Sequence, residues 1–260
     1  MTKKITFILF LLINVAASIA QKKDTIIITP QLINTNVLKE GVHRYLVYFK
    51  MNKNATRTQT QFWTRKIEKS SVDGKGVITI TQEWEDKDSI VHTVKSICDE
   101  KTLQPRSHEF WWKQRGTAAI DFANRSIVYN GTAITETDTA KQRKTILNAY
   151  KSVQDQFFLN WHLDLEVFPT LPYKKGVTFI IPFYDPGTSS PLQQVAYTVT
   201  GSAQLPGYDN QVVDCWLMTH EKDGNKEIFW ISKKTREVLK LEQEVNGRLY
   251  RYKIKLGFSI

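Results

Sequence analysis

The chain has 260 residues, of which 41% are hydrophobic, 12% aromatic and 24% charged, and its formal net charge is +10. This length allows a substantial core, the aromatic content excludes a disordered chain, and two cysteines are too few for a domain built on disulfides. With 12 Gly and 8 Pro, collagen-like and linker-rich chains are excluded as well. The basic residues are dispersed among acidic ones, so the net charge does not predict nucleic-acid binding.

The first twenty residues are typical of a secretory signal peptide. Lys3 and Lys4 form a basic start, an apolar run covers 5–17, and the small residues Ser18 and Ala20 precede a cleavage point. The alternative is an N-terminal membrane anchor, but the run is shorter than the roughly 20 residues that span a bilayer. We therefore expect export to the periplasm or secretion, with no transmembrane segment in the mature chain. Cleavage removes two of the 36 basic residues and leaves a formal charge of +8.

Apolar and polar residues alternate over short stretches from residue 42 onward, which is the period-two pattern of half-buried strands. The pattern predicts strands at about 42–51, 59–68, 77–84, 89–98, 106–115, 118–122, 126–129, 133–136, 177–183, 194–200, 211–220, 226–232, 238–245 and 248–256. Asn246 and Gly247 give the strongest signal for a two-residue hairpin turn, between the last two strands. In the last strand, Arg251, Lys253 and Lys255 form the row that we expect to face solvent.

One segment changes to helical spacing. Apolar residues recur there at three- and four-residue steps, at Ile146, Tyr150, Val153, Phe157, Trp161 and Leu165. Pro169 and Pro172 end the pattern. It predicts one helix within 144–167, best defined over 152–166. With the strands, this helix predicts a mostly β fold of the α+β class, a single domain over 21–260 in which one helix packs across a largely antiparallel sheet.

Sequence motifs of catalysis are absent: there is no GxSxG, no phosphate loop, no GxGxxG after a strand and no HExxH. His162, Asp164 and Glu166 alternate, so in a strand they would share a face and could hold a metal. In the predicted helix they point in different directions. We therefore expect no catalytic residues, no metal and no cofactor. A hydrolase or metal-dependent enzyme is the least favoured class.

The two cysteines, Cys98 and Cys215, lie far apart in the sequence and have no CxxC neighbour. In an oxidising compartment they could form one disulfide. Two buried free thiols are the alternative, because sequence does not show whether the two residues are close in space.

The seven tryptophans are the feature that most favours a binding role. They either fill the core or line an apolar cavity for a lipid or another apolar ligand. The candidate lining residues are Phe157, Trp161, Trp112, Trp216 and Trp230.

Five segments resemble an uncharacterised family of exported bacterial proteins of unknown function. They are FFLNW (157–161), PYKKG (172–176), FIIPFYDPG (179–187), DCWLM (214–218) and FWISKKTREVLKL (229–241). That family is similar in fold to the lipoprotein-localisation-factor half-barrel, an incomplete antiparallel barrel with a helical lid over an apolar hollow. The resemblance implies a curved antiparallel sheet or incomplete β-barrel with the helix across its concave side, and it supplies no catalytic residue.

The expected function is therefore that of a soluble exported protein that binds or carries a lipid or other apolar ligand without catalysis. The alternative is a structural or interaction module of the bacterial envelope with no small ligand. The expected partner is an apolar ligand or an envelope component, and not nucleic acid. The oligomeric state is not predicted.

Overall fold

The computed structural model describes residues 24–207 and 211–257, so the predicted signal peptide lies outside the described residues. Most of the described chain is in strands, which confirms the mostly β class. The strands are β1 (Thr25–Ile27), β2 (Gly41–Lys50), β3 (Gln59–Val72), β4 (Lys75–Asp86), β5 (Ser89–Asp99), β6 (Pro105–Trp112), β7 (Gly116–Asp121), β8 (Ser126–Tyr129), β9 (Thr132–Ala133), β10 (Leu159–Asn160), β11 (Thr178–Tyr184), β12 (Gln193–Pro206), β13 (Val212–Lys222), β14 (Asn225–Ser232), β15 (Val238–Val245) and β16 (Leu249–Leu256). The helices are α1 (Lys141–Lys151) and α2 (Asp164–Val167), with short 3₁₀ turns at Pro30–Leu32, Thr35–Val37, Trp161–Leu163 and Phe168–Thr170.

The strands form one sheet in the order β1-β11-β12-β13-β14-β15-β16-β2-β3-β4-β5-β6-β7-β8-β9, with β10 also paired to β11. Pairing is antiparallel throughout, apart from the parallel pairs β1–β11 and β10–β11. Within the described residues the sheet ends on β1 and β9 and does not close between them. The strand β16 pairs with β2, so the C-terminal meander and the N-terminal meander are joined into one surface.

A strand overlaps every predicted range, although the predicted strand 133–136 meets β9 only at Ala133. Asn246 and Gly247, at φ +49° and +64°, form the predicted turn between β15 and β16. The short strands β1 and β10 were not predicted, because two or three residues are too few to show a period. In the first two long strands the alternation separates two faces: Val47 and Trp63 are buried, whereas Phe62 is 44% exposed.

The predicted helix is misplaced. The main helix is α1, which ends at Lys151, and the range 152–166 instead contains an irregular stretch, β10, a 3₁₀ turn and the start of α2. Asp155, at φ +65°, is in a left-handed conformation that no helix continues through. The apolar residues recur at three- and four-residue steps although the segment is not a helix. Residues 157–171 are buried on several sides, and burial on several sides requires frequent apolar residues whatever the backbone conformation.

These residues, 157–171, are called the inner segment below. Its buried side chains share the main core with the inner face of the sheet, the face that carries Val47, Trp63 and Phe179. The buried members of the segment in this core are Leu159, Leu163, Leu165, Val167, Phe168 and Leu171. The helix α1 packs elsewhere, through Ile146 and Tyr150 against β7 and β8. Packing of one helix across the concave side is therefore not confirmed.

The basic row of β16 corrects a second prediction, because it faces the interior and not solvent. Lys253 is 3% exposed and Lys255 is 5% exposed. The Lys253 ammonium lies 3.1 Å from Asp164 Oδ2 of the inner segment, and Lys255 pairs with Glu237. The alternation itself was predicted, but burial of Lys253 and Lys255 depends on the carboxylates of Asp164 and Glu237, which neutralise them.

Candidate functional site

A cavity of about 310 Å³ opens between the inner face of the sheet and the inner segment. Ten residues from β3, β4, β11's end, β14, β16 and the inner segment line it: Trp63, Arg65, Trp84, Trp161, His162, Asp164, Asp185, Glu227, Arg251 and Lys253. Three are tryptophans and six carry a formal charge, so the cavity combines flat ring surfaces with charged groups. We call it the Trp–Arg cavity.

Two of the tryptophans form one wall because their strands place them directly opposite each other. Trp63 of β3 pairs with Trp84 of β4, and the rings stack at 3.7 Å with an angle of 8° between their planes. The Trp63 indole donates to Gln61 Oε1 at 2.9 Å. Trp161 forms a separate wall and stacks on Phe183 at 5.4 Å. Packing within the protein therefore fixes the orientation of the Trp63, Trp84 and Trp161 rings without a ligand.

A buried ion pair fixes the inner segment to the sheet. Arg65 and Glu166 are 1% and 3% exposed, and Arg65 Nε donates to Glu166 Oε1 at 2.7 Å. A second guanidinium nitrogen donates to the backbone oxygen of His162 at 2.8 Å, and Gln82 Nε2 donates to the same oxygen at 3.0 Å. Because the charges are paired and hydrogen-bonded, their burial is tolerated. This arrangement positions Trp161, His162 and Asp164 at the cavity.

A second buried pair lies in the cavity wall. Burial alone would raise the pKa of Asp164, but the Lys253 ammonium and the Arg65 guanidinium offset burial and lower it. Burial lowers the pKa of Lys253 to about 8, although the Asp164 carboxylate opposes that shift. The Lys253 ammonium also lies 4.6 Å from the centre of the Trp63 ring. Both charges are thus engaged within the protein.

The other carboxylates of the cavity also have neighbours. Glu227 accepts a hydrogen bond from Tyr197 Oη at 3.1 Å and another from Gln243 Nε2 at 2.8 Å. Asp185 Oδ1 lies 3.2 Å from His162 Nε2, but this contact falls outside hydrogen-bond geometry, so that buried oxygen has no hydrogen bond. Each carboxylate can accept further hydrogen bonds from a ligand, since a carboxylate has about four acceptor positions.

Three histidines meet beside the cavity, with the His162 ring 5.7 Å from that of His92 and 5.2 Å from that of His108. The backbone oxygen of Trp111 can only accept, so His92 Nδ1 carries a proton. Asn160 Oδ1 accepts from the His162 backbone, so its amide nitrogen donates to His108 Nδ1 and the His108 proton is on Nε2. No group of His, Cys, Asp and Glu in residues 24–207 and 211–257 is arranged to hold a metal ion.

Burial keeps two of these histidines neutral. Both His92 and His108 are fully buried, and each leaves Nε2 without a hydrogen bond. Burial lowers the pKa of His92 to about 3, and burial together with the neighbouring histidines lowers the pKa of His108 well below its ordinary value. His92 and His108 are therefore neutral at physiological pH.

The candidate residues named from sequence are dispersed by the fold. Trp161 lines the cavity, and Trp112 lies behind it, stacked on His92 at 3.6 Å and edge-on to Trp84 at 5.2 Å. Phe157 and Trp216 pack on the main core. Trp230 packs with Cys215 and Leu239 in a separate cluster.

The cavity residues that sequence reasoning missed are mostly charged: Arg65, Asp185, Glu227, Arg251 and Lys253. One signal was available. Arg65 interrupts the inward row between Trp63 and Ile67, and a charged residue inside an otherwise apolar row indicates a buried partner or a site. The partner itself, Glu166, is 101 residues away along the chain, so sequence gave no means of finding it.

Cys98 and Cys215 are both buried and free in the structure. Cys98 belongs to the main core and Cys215 to the cluster with Leu239. The structure therefore contains the second alternative, two buried thiols, and the disulfide between these two residues is not formed in it.

The described residues form a mostly antiparallel β protein with a charged, tryptophan-walled cavity. A family model described as a protein of unknown function (DUF3108) matches residues 44–255. The chain belongs to this family. Comparison with curated proteins finds no match.

Among solved structures, the chain is similar to the crystal structure of a beta-barrel-like protein of the domain of unknown function DUF1849 from Brucella abortus. The identity is 9%, the alignment covers 86% of this chain and 99% of that chain, and the TM-score is 0.38, which is too low to carry an argument. The similarity to the lipoprotein-localisation-factor half-barrel stays a prediction. Within the described ranges, no helix is both long and apolar enough to span a bilayer.

Proposed function

We propose that the chain is an exported binding or carrier protein without a catalytic role, and that the Trp–Arg cavity holds an amphipathic ligand. The observation that carries the proposal is the combination of three tryptophan faces with six charged side chains around one cavity. Ligand sites typically pair ring surfaces with a few fixed polar groups, and a volume of about 310 Å³ is within their range.

The charged residues of the cavity restrict the class of ligand that was predicted from the sequence. A lipid or other apolar molecule that filled the cavity with hydrocarbon would remove water from Asp185 and Arg251 without replacing its hydrogen bonds, and such desolvation is costly. A ligand with polar groups avoids this cost, while its apolar part covers Trp63 or Trp161. An amphiphile with its polar group in the cavity therefore fits better than a bare acyl chain.

Export rests on residues 1–20 and on the family resemblance, and placement in the periplasm is part of the proposal. A protein in that compartment meets lipids, glycolipids and other envelope amphiphiles. The rival role, a structural or interaction module of the envelope, requires no ligand in the cavity and is decided by the same experiment.

The test is to purify the full chain under native conditions, extract it with organic solvent and analyse the extract by mass spectrometry. The proposal predicts a co-purifying amphiphile that is lost or strongly depleted with Trp161→Ala. Trp111→Ala is the control, because Trp111 is also a half-buried tryptophan of the sheet but does not line the Trp–Arg cavity. Absence of any amphiphile, together with no binding of an environment-sensitive apolar dye, would favour the structural module.

A further inference from the structure

The three basic residues of the Trp–Arg cavity differ in one respect. Arg65 is paired with Glu166, and Lys253 is paired with Asp164. Arg251 has no ion pair and no side-chain hydrogen bond to any residue in the described part of the chain, and its Nε is buried without a partner. It is therefore the one cavity-lining Lys or Arg, among the described residues, whose charge the protein leaves uncompensated by a paired carboxylate.

An unpaired buried donor on a charged group is unusual, since roughly nine-tenths or more of buried polar groups have a hydrogen-bond partner. Arg251 is only partly buried, and it projects from β16 into the cavity beside Lys253. A guanidinium offers several N–H donors in a planar fork that matches the two oxygens of a carboxylate or phosphate. Because Arg251 lines the cavity, its guanidinium borders the space that the ligand would occupy.

The carboxylates nearby do not satisfy this donor. Asp164 is bound by Lys253, Glu227 by Tyr197 and Gln243, and Asp185 lies against His162. Their acceptor oxygens remain suited to hydroxyl or ammonium groups of a ligand. The cavity is thus lined by one unpaired cation and by several acceptors.

We propose that Arg251 is an anion-binding residue and that the ligand of the Trp–Arg cavity carries a phosphate or carboxylate group. This inference rests on the proposed function and specifies its ligand class: an anionic amphiphile whose charged group lies on Arg251 and whose apolar part lies on the tryptophan walls. The ring of Trp63 and the paired Lys253 frame the position of the charged group, because they line the same cavity.

The test uses the full chain and three probes that share an eight-carbon tail, each below its micelle concentration: n-octyl phosphate, octanoate and n-octyl β-glucoside. Binding is measured by titration calorimetry and by tryptophan fluorescence. We expect the two anions to bind about tenfold or more tightly than the glucoside, because a charged hydrogen bond is worth at least that factor. The order of phosphate and carboxylate identifies which anion the site prefers.

Two substitutions locate the effect. Arg251→Gln should weaken both anions about tenfold or more and change the glucoside less than about twofold, since it removes a charged hydrogen bond only from the anionic complexes. Arg248→Gln is the matched control, because Arg248 is exposed in the hairpin turn and its loss changes the net charge equally. Arg251→Lys keeps the positive charge but lacks the planar guanidinium, so it should bind the anions with an intermediate affinity. This variant shows whether a loss of binding in Arg251→Gln reflects misfolding.

The outcomes separate the two proposals. If no probe binds, the proposed function and this inference both fail. If the glucoside binds as tightly as the anions and Arg251→Gln changes nothing, the binding role stands and the anion site is refuted. Equal losses in Arg251→Gln and Arg248→Gln would show general charge attraction and would also refute the anion site.

Discussion

Replacement of Glu166 by Gln should destabilise the protein far more than the loss of one surface carboxylate. The change leaves the Arg65 guanidinium, which is 1% exposed, without its counter-charge. It also removes the charge-assisted bond to Arg65 Nε, now 2.7 Å long. Removing one partner of a buried ion pair typically costs about 3–5 kcal/mol. We expect the free energy of unfolding to fall by that amount.

The assay is urea unfolding at pH 7.5, followed by tryptophan fluorescence. With a dependence on urea of about 3 kcal/mol per molar, the midpoint should fall by about 1–2 M. The control is Glu68→Gln. Glu68 and its partner Lys66 are each 49% exposed, and an exposed pair contributes no more than about 1 kcal/mol.

The reasoning is refuted if Glu166→Gln and Glu68→Gln lower the midpoint equally. A further check is the double variant Arg65→Gln with Glu166→Gln, whose loss should be clearly smaller than the sum of the two single losses, because the second substitution removes a charge that the first has already left unpaired.

Three further outcomes are expected. The protein should lose stability as the pH falls below about 6.5, by about 1.4 kcal/mol per pH unit for each buried histidine. The reason is that His92, with a folded pKa of about 3, and His108 take up protons in the unfolded chain at a higher pH than in the folded one. Urea midpoints at pH 7.5 and 5.0 should therefore differ less in His92→Gln than in the wild type. Burial raises the pKa of Cys98 above its ordinary range and that of Cys215 to about 11. Neither thiol should therefore react with a thiol reagent at pH 8 until the chain is unfolded. If the unfolded chain reacts only after treatment with a reductant, the two cysteines form a disulfide instead. N-terminal sequencing of the protein from an exporting cell should begin at Gln21, and an intact Met1 would argue for an anchor.

The strand pattern was readable from sequence because alternation is a local property. In β2 and β3 the alternation agrees with burial, since Val47 and Trp63 lie inside whereas Phe62 is exposed. In β16 the same alternation gave the wrong face, because Lys253 and Lys255 are buried by carboxylates of distant segments. Polarity predicts exposure only where no partner is buried with the charge.

Most residues of the Trp–Arg cavity were not among the predicted lining residues, for a related reason. The Trp–Arg cavity draws single residues from several strands and from the inner segment, so its members are far apart in sequence. Trp161 alone of the five predicted lining residues is part of it. The others were chosen for ring size, and ring size does not distinguish a core filler such as Trp230 from a cavity wall. Long-range pairs such as Arg65 with Glu166 become visible only in the folded chain.

The most direct test of the central claim is a crystal structure of the full chain with n-octyl phosphate. We expect a phosphate oxygen about 3 Å from a guanidinium nitrogen of Arg251 and the octyl tail against Trp161 or the Trp63–Trp84 stack. An amphiphile bound only on the outer face of the sheet, with the Trp–Arg cavity filled by water alone, would contradict it.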